Sequence, residues 1–260
     1  MTPGDGARLQ ARARVQLLGV PVDPVTVDEL HDHLLRFVRE KARATVLHAN
    51  VHAINLAQRH PAFARSLRAA DLVFCDGSGV MFGARLLRQH IPGRITYAEW
   101  LWELAALCER ERLSLYLLGS RPGVADAAAR RLCERFPGLR IAGAHHGYFD
   151  KDAASDGSTA IIASLNAAQP DILIVGFGMP NQELWVADHR HRIDASVVLT
   201  AGAAFDYVSG QLRRPPRWMT THGLEWLGRL ILEPRRLASR YLLGNPLFLW
   251  RVLRERMRQR

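Results

Sequence analysis

The sequence predicts an α/β protein with a Rossmann-like, mostly parallel β-sheet, helices on both faces of that sheet, and a basic helical appendage at the C-terminus. Apolar runs alternate with helical patterns along the first 210 residues. The runs are apolar throughout, which is typical of parallel strands that are buried on both faces. With 260 residues, of which 48% are hydrophobic, the chain is long enough for one large core and an appendage.

The predicted strands are short, and all but the first end in glycine, aspartate or asparagine, which favour turns. They cover residues 15–20, 45–50, 72–76, 113–119, 139–143, 171–178 and 195–202. Helical spacing of apolar residues predicts helices between them, over residues 26–42, 79–88, 97–112, 123–136 and 182–190. Strands that alternate with helices in this way predict parallel pairing.

The bulk composition excludes several classes of protein. The three cysteines, Cys75, Cys108 and Cys133, have neither metal-ligand nor paired spacing, which favours a reducing cytoplasm over a disulfide framework. No signal sequence is recognisable at the start, and no stretch approaches the roughly 18 apolar residues of a membrane span. We therefore expect a soluble or peripheral protein in the cytoplasm.

The composition changes at about residue 211, and Pro215 and Pro216 mark a plausible boundary. Residues 211–260 contain twelve arginines, three glutamates and no lysine, and they carry most of the net charge of +10. We therefore predict a catalytic domain over residues 1–210 and a basic appendage over residues 211–260. A basic segment on a near-neutral protein indicates a polyanionic partner, either membrane lipid or nucleic acid.

The spacing within the appendage favours the membrane. If residues 247–258 form one helix, its apolar residues share one arc and most of its arginines share the opposite arc, as in interfacial helices. The alternative is a helix that packs on its own domain. The candidate membrane-binding residues are Arg236, Arg240, Trp250, Arg251, Arg254 and Arg258.

Candidate site residues follow the predicted strands. Parallel sheets bind ligands beyond the carboxyl ends of their strands. Glycine there lets a ligand approach the backbone, and helix N-termini offer N–H groups to anions. The candidates at these ends are His48, Asn50, Asp76, Gly119, Gly178, Gln182 and Asp206.

Each of these features also has a purely structural interpretation. The glycines are compatible with simple turns, Asp76 with the N-cap of the next helix, His48 with an ordinary partly buried histidine, and Gln182 with a polar first turn. Asp150 and Asp152 match the D-x-D pattern of metal-dependent sugar transferases, but their position before a helix favours a turn with a cap, so no metal site is predicted. The glycine pair that ends the sixth predicted strand lacks the third glycine of a dinucleotide site.

The ordered motifs together resemble the WecG/TagA/CpsF glycosyltransferase family. The resemblance runs from about residue 15 to the C-terminus. It is carried by His48-Ala-Asn50, residues 70–79, Arg94-Ile-Thr96, and residues 117–123, 146–149, 176–183 and 204–206. Further matches are residues 216–218, 223–226 and 233–236.

The resemblance implies an inverting enzyme of Rossmann-like fold that transfers a sugar from a UDP-sugar to a polyprenyl-linked saccharide. Such enzymes work at the cytoplasmic face of the bacterial membrane, in teichoic acid, common antigen and exopolysaccharide synthesis. It also implies that no metal or other cofactor is obligatory and that the C-terminal appendage touches an anionic membrane surface. A non-catalytic nucleotide-sugar-binding protein and a nucleic-acid-binding protein remain the alternatives.

The resemblance also assigns residues. The proposed general base of the family falls on Asp76, its arginine on Arg94 and its glutamine on Gln182, while Asp206 is expected to hold the nucleotide end of the donor. The Thr-x-Asn turn of the family falls on His48 and Asn50, so histidine replaces the threonine here. The residues that follow Arg94 also depart from the family pattern, and both departures lie where we expect substrate contacts.

Overall fold

The computed structural model describes residues 12–152, 155–216, 219 and 225–259, apart from the side chains of Glu225 and Arg236. It confirms the predicted α/β class, with a six-stranded parallel sheet flanked by helices. The strands of the described residues are β1 (Val15–Leu17), β2 (Val20–Val22), β3 (Ala44–Ala49), β4 (Leu72–Cys75), β5 (Ser114–Gly119), β6 (Arg140–His145), β7 (Ile172–Gly176) and β8 (Val197–Thr200).

The helices connect these strands and cover both faces of the sheet. Those of the described residues are α1 (Val27–Arg39), α2 (Val51–Ala57), α3 (Pro61–Ala69), α4 (Ser78–Leu86), α5 (Tyr97–Glu111), α6 (Val124–Arg135), α7 (Asp156–Ala168), α8 (Asn181–His189), α9 (Ala204–Val208), α10 (Glu225–Leu232), α11 (Pro234–Ala238) and α12 (Gly244–Arg258). A 3-10 turn (Arg190–Arg192) follows α8, and a π-helical turn (Ser239–Leu243) leads into α12.

The sheet has the strand order β4-β3-β8-β7-β5-β6, and every pairing in it is parallel. Alternate side chains of each strand enter opposite core layers, because successive residues of a strand point to opposite faces. One layer lies under α1, α5, α6 and α9. The other lies under α2, α3, α4 and α12 at one end and under α7 and α8 at the other. The carboxyl ends of β3, β4, β7 and β8 therefore meet at one edge.

The prediction of a single sheet strand over residues 15–20 is wrong. The chain turns at Leu18 and Gly19, both of which have positive φ angles, 53° and 75°. Strands β1 and β2 consequently pair with each other as an antiparallel hairpin outside the main sheet. The apolar run is explained by burial of Val15, Leu17 and Val20 in the core cluster that also holds α12.

Helix α12 packs against the rest of the molecule along one side. Phe248 and Val252 are buried in the same cluster as Leu17, and the Phe248 ring leaves no room for a side chain at Gly83 of α4. One side of α12 therefore packs on the protein's own core, as the alternative interpretation predicts. Among the described residues, no helix is long and apolar enough to span a bilayer.

Candidate active site

Two adjoining cavities open at the carboxyl edge of the sheet. The first lobe, about 370 Å³, is lined largely by α2, α4 and the C-terminal helices, and includes Phe82, Trp226, Tyr241 and Leu249. The second lobe, about 220 Å³, is lined largely by the loops after β3, β7 and β8 and by the start of α5. Both lobes share Asn50, His52, Asp76, Thr96, Arg229 and Arg240.

Asp76 follows β4 directly and lies where the two lobes meet. Its backbone N–H donates to the carbonyl of Ala49 at 2.8 Å, which extends the strand ladder by one residue and fixes the position of the side chain. The next helix is capped by Gly77, with no side-chain hydrogen bond, so Asp76 does not cap α4. This removes the structural alternative for the carboxylate. Gly77 has φ +112°, which favours glycine, and lets the chain turn into α4 while Asp76 faces the cavity.

Asn50 contributes both to local structure and to the site. Its Oδ1 accepts a hydrogen bond from the N–H of Ala53 at 3.0 Å and so caps α2. Its Nδ2 is left to donate to Oδ2 of Asp76, at 3.4 Å. The cap thereby orients the amide donor toward the carboxylate.

His48 lies behind Asp76 at the end of β3 and is 4% exposed. Its Nδ1 donates to the carbonyl of Thr200 at 2.8 Å, and its Nε2 lies 3.9 Å from Oδ2 of Asp76. The ring packs against Phe74 and Tyr97. Burial lowers the pKa of His48, although the Asp76 charge and the hydrogen bond to Thr200 oppose that shift. The imidazole is therefore neutral at pH 7.

Gln182, which was predicted to bind substrate, is fully buried and lines neither lobe. Its Oε1 accepts hydrogen bonds from the N–H groups of Gly178, at 3.1 Å, and Gly202, at 3.0 Å. Its Nε2 donates to Oε1 of Glu183 at 2.7 Å. The amide therefore joins the loops after β7 and β8, both of which line the second lobe.

Glu183 was not predicted as a residue of interest, and it is 1% exposed. Burial raises its pKa to about 7, against the opposing effect of the hydrogen bond from Gln182. The carboxyl group lies beneath the second lobe and is not among the residues that line it. Nothing in the polar residues that begin α8 indicated that the carboxyl group of Glu183 would be buried.

The predicted glycines have different surroundings. Gly178 lines the second lobe with φ +82°, and a Cβ built there meets nothing within 4 Å, so this turn leaves open space. A Cβ on Gly119 would lie 2.5 Å from the carbonyl oxygen of Gly176, so glycine is needed there for strand packing. Neither Gly119 nor Asp206 lines the two lobes. Asp206 accepts a hydrogen bond from the Ser120 hydroxyl at 2.8 Å beside the β5 turn.

Among the described side chains, three arginines face the cavities. Arg94 lines the first lobe, as its predicted role in substrate binding requires, and Arg229 and Arg240 line both lobes. No sequence pattern predicted Arg229 as a site residue, and Arg240 was predicted to bind the membrane. The π-helical turn buries Tyr241 and folds Arg240 back over the sheet edge. Burial, with a further effect of the Arg240 charge, lowers the pKa of His52 to about 4.

The remaining membrane candidates lie on or near α12. Trp250 is 55% exposed and lies under the Arg254 guanidinium, and Arg258 is exposed. Arg251 instead donates to Oδ1 of Asn55 at 2.8 Å, on the side of α12 that faces α2. The side chain of Arg236 lies outside the described residues.

Asp150 and Asp152 form an exposed turn before α7. Oδ1 of Asp150 accepts a hydrogen bond from the N–H of Asp152 at 3.1 Å. The α7 N-cap is Ser155, which accepts from the N–H of Ser158. The turn predicted for this pair is thus present, with a different residue as the cap.

Comparison with known proteins agrees with this arrangement. The family model described as "Glycosyl transferase WecG/TagA/CpsF family" matches residues 15–260. N-acetylglucosaminyldiphosphoundecaprenol N-acetyl-beta-D-mannosaminyltransferases of Staphylococcus aureus strains NCTC 8325 and COL are each 26% identical over 242 residues, with 92% of both chains covered. The enzyme of strain MRSA252 matches to the same extent. Because the family model spans nearly the whole chain, including every residue of the two lobes, this protein belongs to the WecG/TagA/CpsF family of glycosyltransferases.

Proposed function

We propose that this protein transfers a sugar from a UDP-sugar to a polyprenyl-diphosphate-linked saccharide, with inversion at the anomeric carbon and with Asp76 as the general base. The relatives in Staphylococcus aureus are named for N-acetylmannosaminyl transfer to N-acetylglucosaminyldiphosphoundecaprenol. We take this as the first reaction to test. The observation that carries the proposal is the position of the Asp76 carboxylate, at the junction of two lobes of different character.

The second lobe suits the sugar nucleotide. Gly178 and Gly202 both have positive φ angles in its loops, and no atom occupies the space where their side chains would be. A diphosphate can therefore approach the backbone closely. Arg229 and Arg240 line the same lobe, and guanidinium groups bind diphosphates with charge-assisted hydrogen bonds.

The first lobe suits a lipid-linked acceptor. Phe82, Trp226 and Leu249 line it and are at the same time exposed on the surface. The lobe is therefore continuous with apolar surface, along which a polyprenyl chain can lie while its sugar reaches Asp76. Arg94 on the wall of this lobe is placed to bind phosphate oxygens.

The chemistry is a single displacement. The acceptor hydroxyl oxygen forms a bond to the anomeric carbon as the bond from that carbon to the UDP oxygen breaks. The hydroxyl proton passes to the Asp76 carboxylate, a step that typically contributes about 10²–10⁴-fold in rate. The departing diphosphate gains one negative charge, which the arginines of the two lobes stabilise without reorganisation.

Arginines supply the charge that a divalent cation would otherwise supply, so we expect transfer to persist in EDTA. Equal initial rates with EDTA and with added magnesium or manganese are the predicted result. Loss of transfer in EDTA that either cation restores would contradict metal independence.

The membrane surface is the remaining part of the proposal. Of the eleven large apolar side chains that are exposed among the described residues, nine lie between residues 226 and 257. Arginines are interspersed with them, and each arginine near an anionic leaflet contributes roughly 1 kcal/mol of attraction. We therefore place the C-terminal helices at the cytoplasmic face of the bacterial membrane, where the acceptor is anchored.

The experiment uses the full chain with undecaprenyl-diphosphate-linked N-acetylglucosamine and a panel of UDP-sugars, UDP-N-acetylmannosamine first. Release of UDP and the mass of the lipid product are measured together, and the anomeric configuration is read by NMR. A disaccharide lipid of inverted configuration is expected. UDP release without a lipid product, or a product that retains the donor configuration, would contradict the proposal.

A further inference from the structure

We propose that His48 accepts, through Asp76, the proton that leaves the acceptor hydroxyl, so that His48 and Asp76 form a proton-relay pair. The inference rests on the proposed function, because Asp76 must be the base. It concerns the position at which this chain departs from the threonine of the family pattern. His48 acts on Asp76 and not on substrate directly, so it is a positioning residue.

The hydrogen bond to Thr200 fixes the tautomer of His48. A carbonyl oxygen only accepts hydrogen bonds, so the 2.8 Å contact with Thr200 requires a hydrogen on Nδ1. In the neutral ring, Nε2 then carries a lone pair and no hydrogen. That lone pair is on the ring nitrogen that lies 3.9 Å from Oδ2 of Asp76.

A gap separates the side chains of His48 and Asp76. Nε2 and Oδ2 of Asp76 lie 3.9 Å apart, beyond hydrogen-bonding distance. Two acceptors that face each other repel, so this distance fits a carboxylate opposite a bare nitrogen. Once Asp76 holds the proton of the acceptor, its O–H becomes a donor, and a closer approach makes a hydrogen bond along which the proton can move.

The proton balance is complete. The acceptor O–H proton moves to the Asp76 carboxylate and then to Nε2 of His48, which restores the carboxylate and leaves an imidazolium. The positive charge on His48 appears as the departing diphosphate in the same cavity gains its negative charge. After UDP leaves, the imidazolium releases its proton to solvent through the second lobe, which His48 lines.

The groups around His48 favour this cycle. Asp76 stabilises the imidazolium, whereas burial and Arg240 destabilise it, so the proton does not stay once UDP has gone. Tyr97 of α5 packs edge-on against the ring, and His52 lines the same lobe. Glu183 of α8 is buried near Thr200, whose carbonyl accepts the hydrogen bond from Nδ1.

The test compares His48→Asn with the wild-type chain. Asparagine can still donate to the Thr200 carbonyl but has no nitrogen in the place of Nε2. We expect kcat to fall about 10- to 100-fold with little change in KM for the donor, as for loss of a proton-transfer group. The kcat–pH profile of the variant should lack the limb that histidine titration produces. If His48 only packed against its neighbours, its loss would leave the shape of the profile unchanged. A kcat within twofold of wild type with an unchanged profile would overturn the inference.

Chemical rescue gives an independent readout. His48→Ala opens space beside the second lobe, and added imidazole should restore part of kcat, whereas pyrazole, of the same size but hardly basic, should not. Rescue by both compounds, or by neither in a variant that still binds UDP, would overturn the inference. If neither variant folds, ¹⁵N NMR of histidine-labelled wild type decides. In the free protein, the His48 ring should carry hydrogen on Nδ1 only. After UDP is added, a second N–H should appear, on Nε2. Hydrogen on Nε2 alone in the free protein would contradict the relay.

These outcomes separate the inference from the proposed function. If Asp76→Asn abolishes transfer while His48→Asn keeps normal kcat and pH dependence, only the relay fails. If Asp76→Asn transfers normally, the proposed base fails and the relay fails with it.

Discussion

The side-chain oxygen of Gln182 accepts a hydrogen bond from the backbone N–H of Gly202 at 3.0 Å, and so ties α8 to the loop after β8. The same oxygen accepts from the N–H of Gly178, so one buried amide holds both loops of the second lobe. The shape of the proposed donor site therefore depends on a residue that does not line it.

Gln182→Ala should lower stability as well as transfer. The substitution leaves the two partly buried N–H groups of Gly178 and Gly202 without this acceptor, and an unsatisfied group costs up to about 1–3 kcal/mol when it is fully buried. We expect a clear fall in melting temperature and weaker UDP binding, measured by calorimetry. The control is Gln211→Ala at an exposed position. A variant with wild-type melting temperature but no transfer would instead point to direct substrate contact.

Glu183 should make stability decrease as pH rises. Burial raises its folded-state pKa to about 7, so the folded protein holds this proton more tightly than the unfolded chain does. The contribution of Glu183 to the free energy of unfolding is fully present below its unfolded-state pKa of roughly 4.3. It is lost as pH rises to about 7, at up to about 1.4 kcal/mol per pH unit.

The variant Glu183→Gln removes this titration while retaining an acceptor for Gln182. The free energy of unfolding is measured in urea at pH 5 and at pH 8. From pH 5 to pH 8, the variant should gain at most about 3 kcal/mol relative to wild type. Glu103→Gln, at an exposed position on α5, is the matched control. The same pH dependence in wild type and Glu183→Gln would refute this assignment.

Arg94→Ala should weaken transfer without unfolding the protein, because Arg94 lines the first lobe beside Asp76. Loss of a charge-assisted contact to phosphate costs about 1.5–3 kcal/mol, or roughly 10- to 100-fold in kcat/KM. Arg85→Ala, at an exposed position on α4 outside both lobes, should retain wild-type activity. Equal activity of the two variants would exclude Arg94 from the site.

Membrane attachment should depend on the exposed apolar side chains near the C-terminus. Point substitutions test this better than truncation, because α12 also buries Phe248 and Val252 in the core. The triple variant Leu243→Ser, Trp250→Ser and Met257→Ser should lose flotation with anionic liposomes but keep UDP binding. Tyr148→Ser, an exposed aromatic residue outside the C-terminal helices, is the control.

The charge contribution gives a second readout of attachment. Flotation of the intact protein should weaken as salt rises, because surface charges are screened within a Debye length of about 8 Å at physiological ionic strength. Equal binding of the intact protein to neutral and anionic liposomes would contradict the role of the arginines.

The sequence predicted the parallel sheet because β3, β5, β7 and β8 are apolar along most of their length. It predicted Asp76 and Asn50 as members of one site because both follow strands that end at one edge of the sheet. It did not predict how the C-terminal segment folds back, since the same arginines and aromatic residues suit a membrane face and a cavity wall. Arg240 and Arg251 were therefore expected at the membrane, and tertiary packing directs them inward.

Local sequence patterns also did not predict which polar residues are buried. Gln182 and Glu183 look like an ordinary polar first turn, and only the packing of α8 beneath the second lobe shows that they hold the loops together. His48 likewise needed the position of Thr200, 152 residues away, before its tautomer could be inferred.

The most direct test of the account is transfer by Asp76→Asn. The amide preserves the size of the side chain and can still bond to Asn50, so the fold and UDP binding should be unchanged. Transfer to the lipid-linked acceptor, measured as product per enzyme under saturating donor, should fall by about 10²–10⁴-fold because the general base is lost. A variant that transfers within a few-fold of wild type would contradict the assignment of Asp76 as the base.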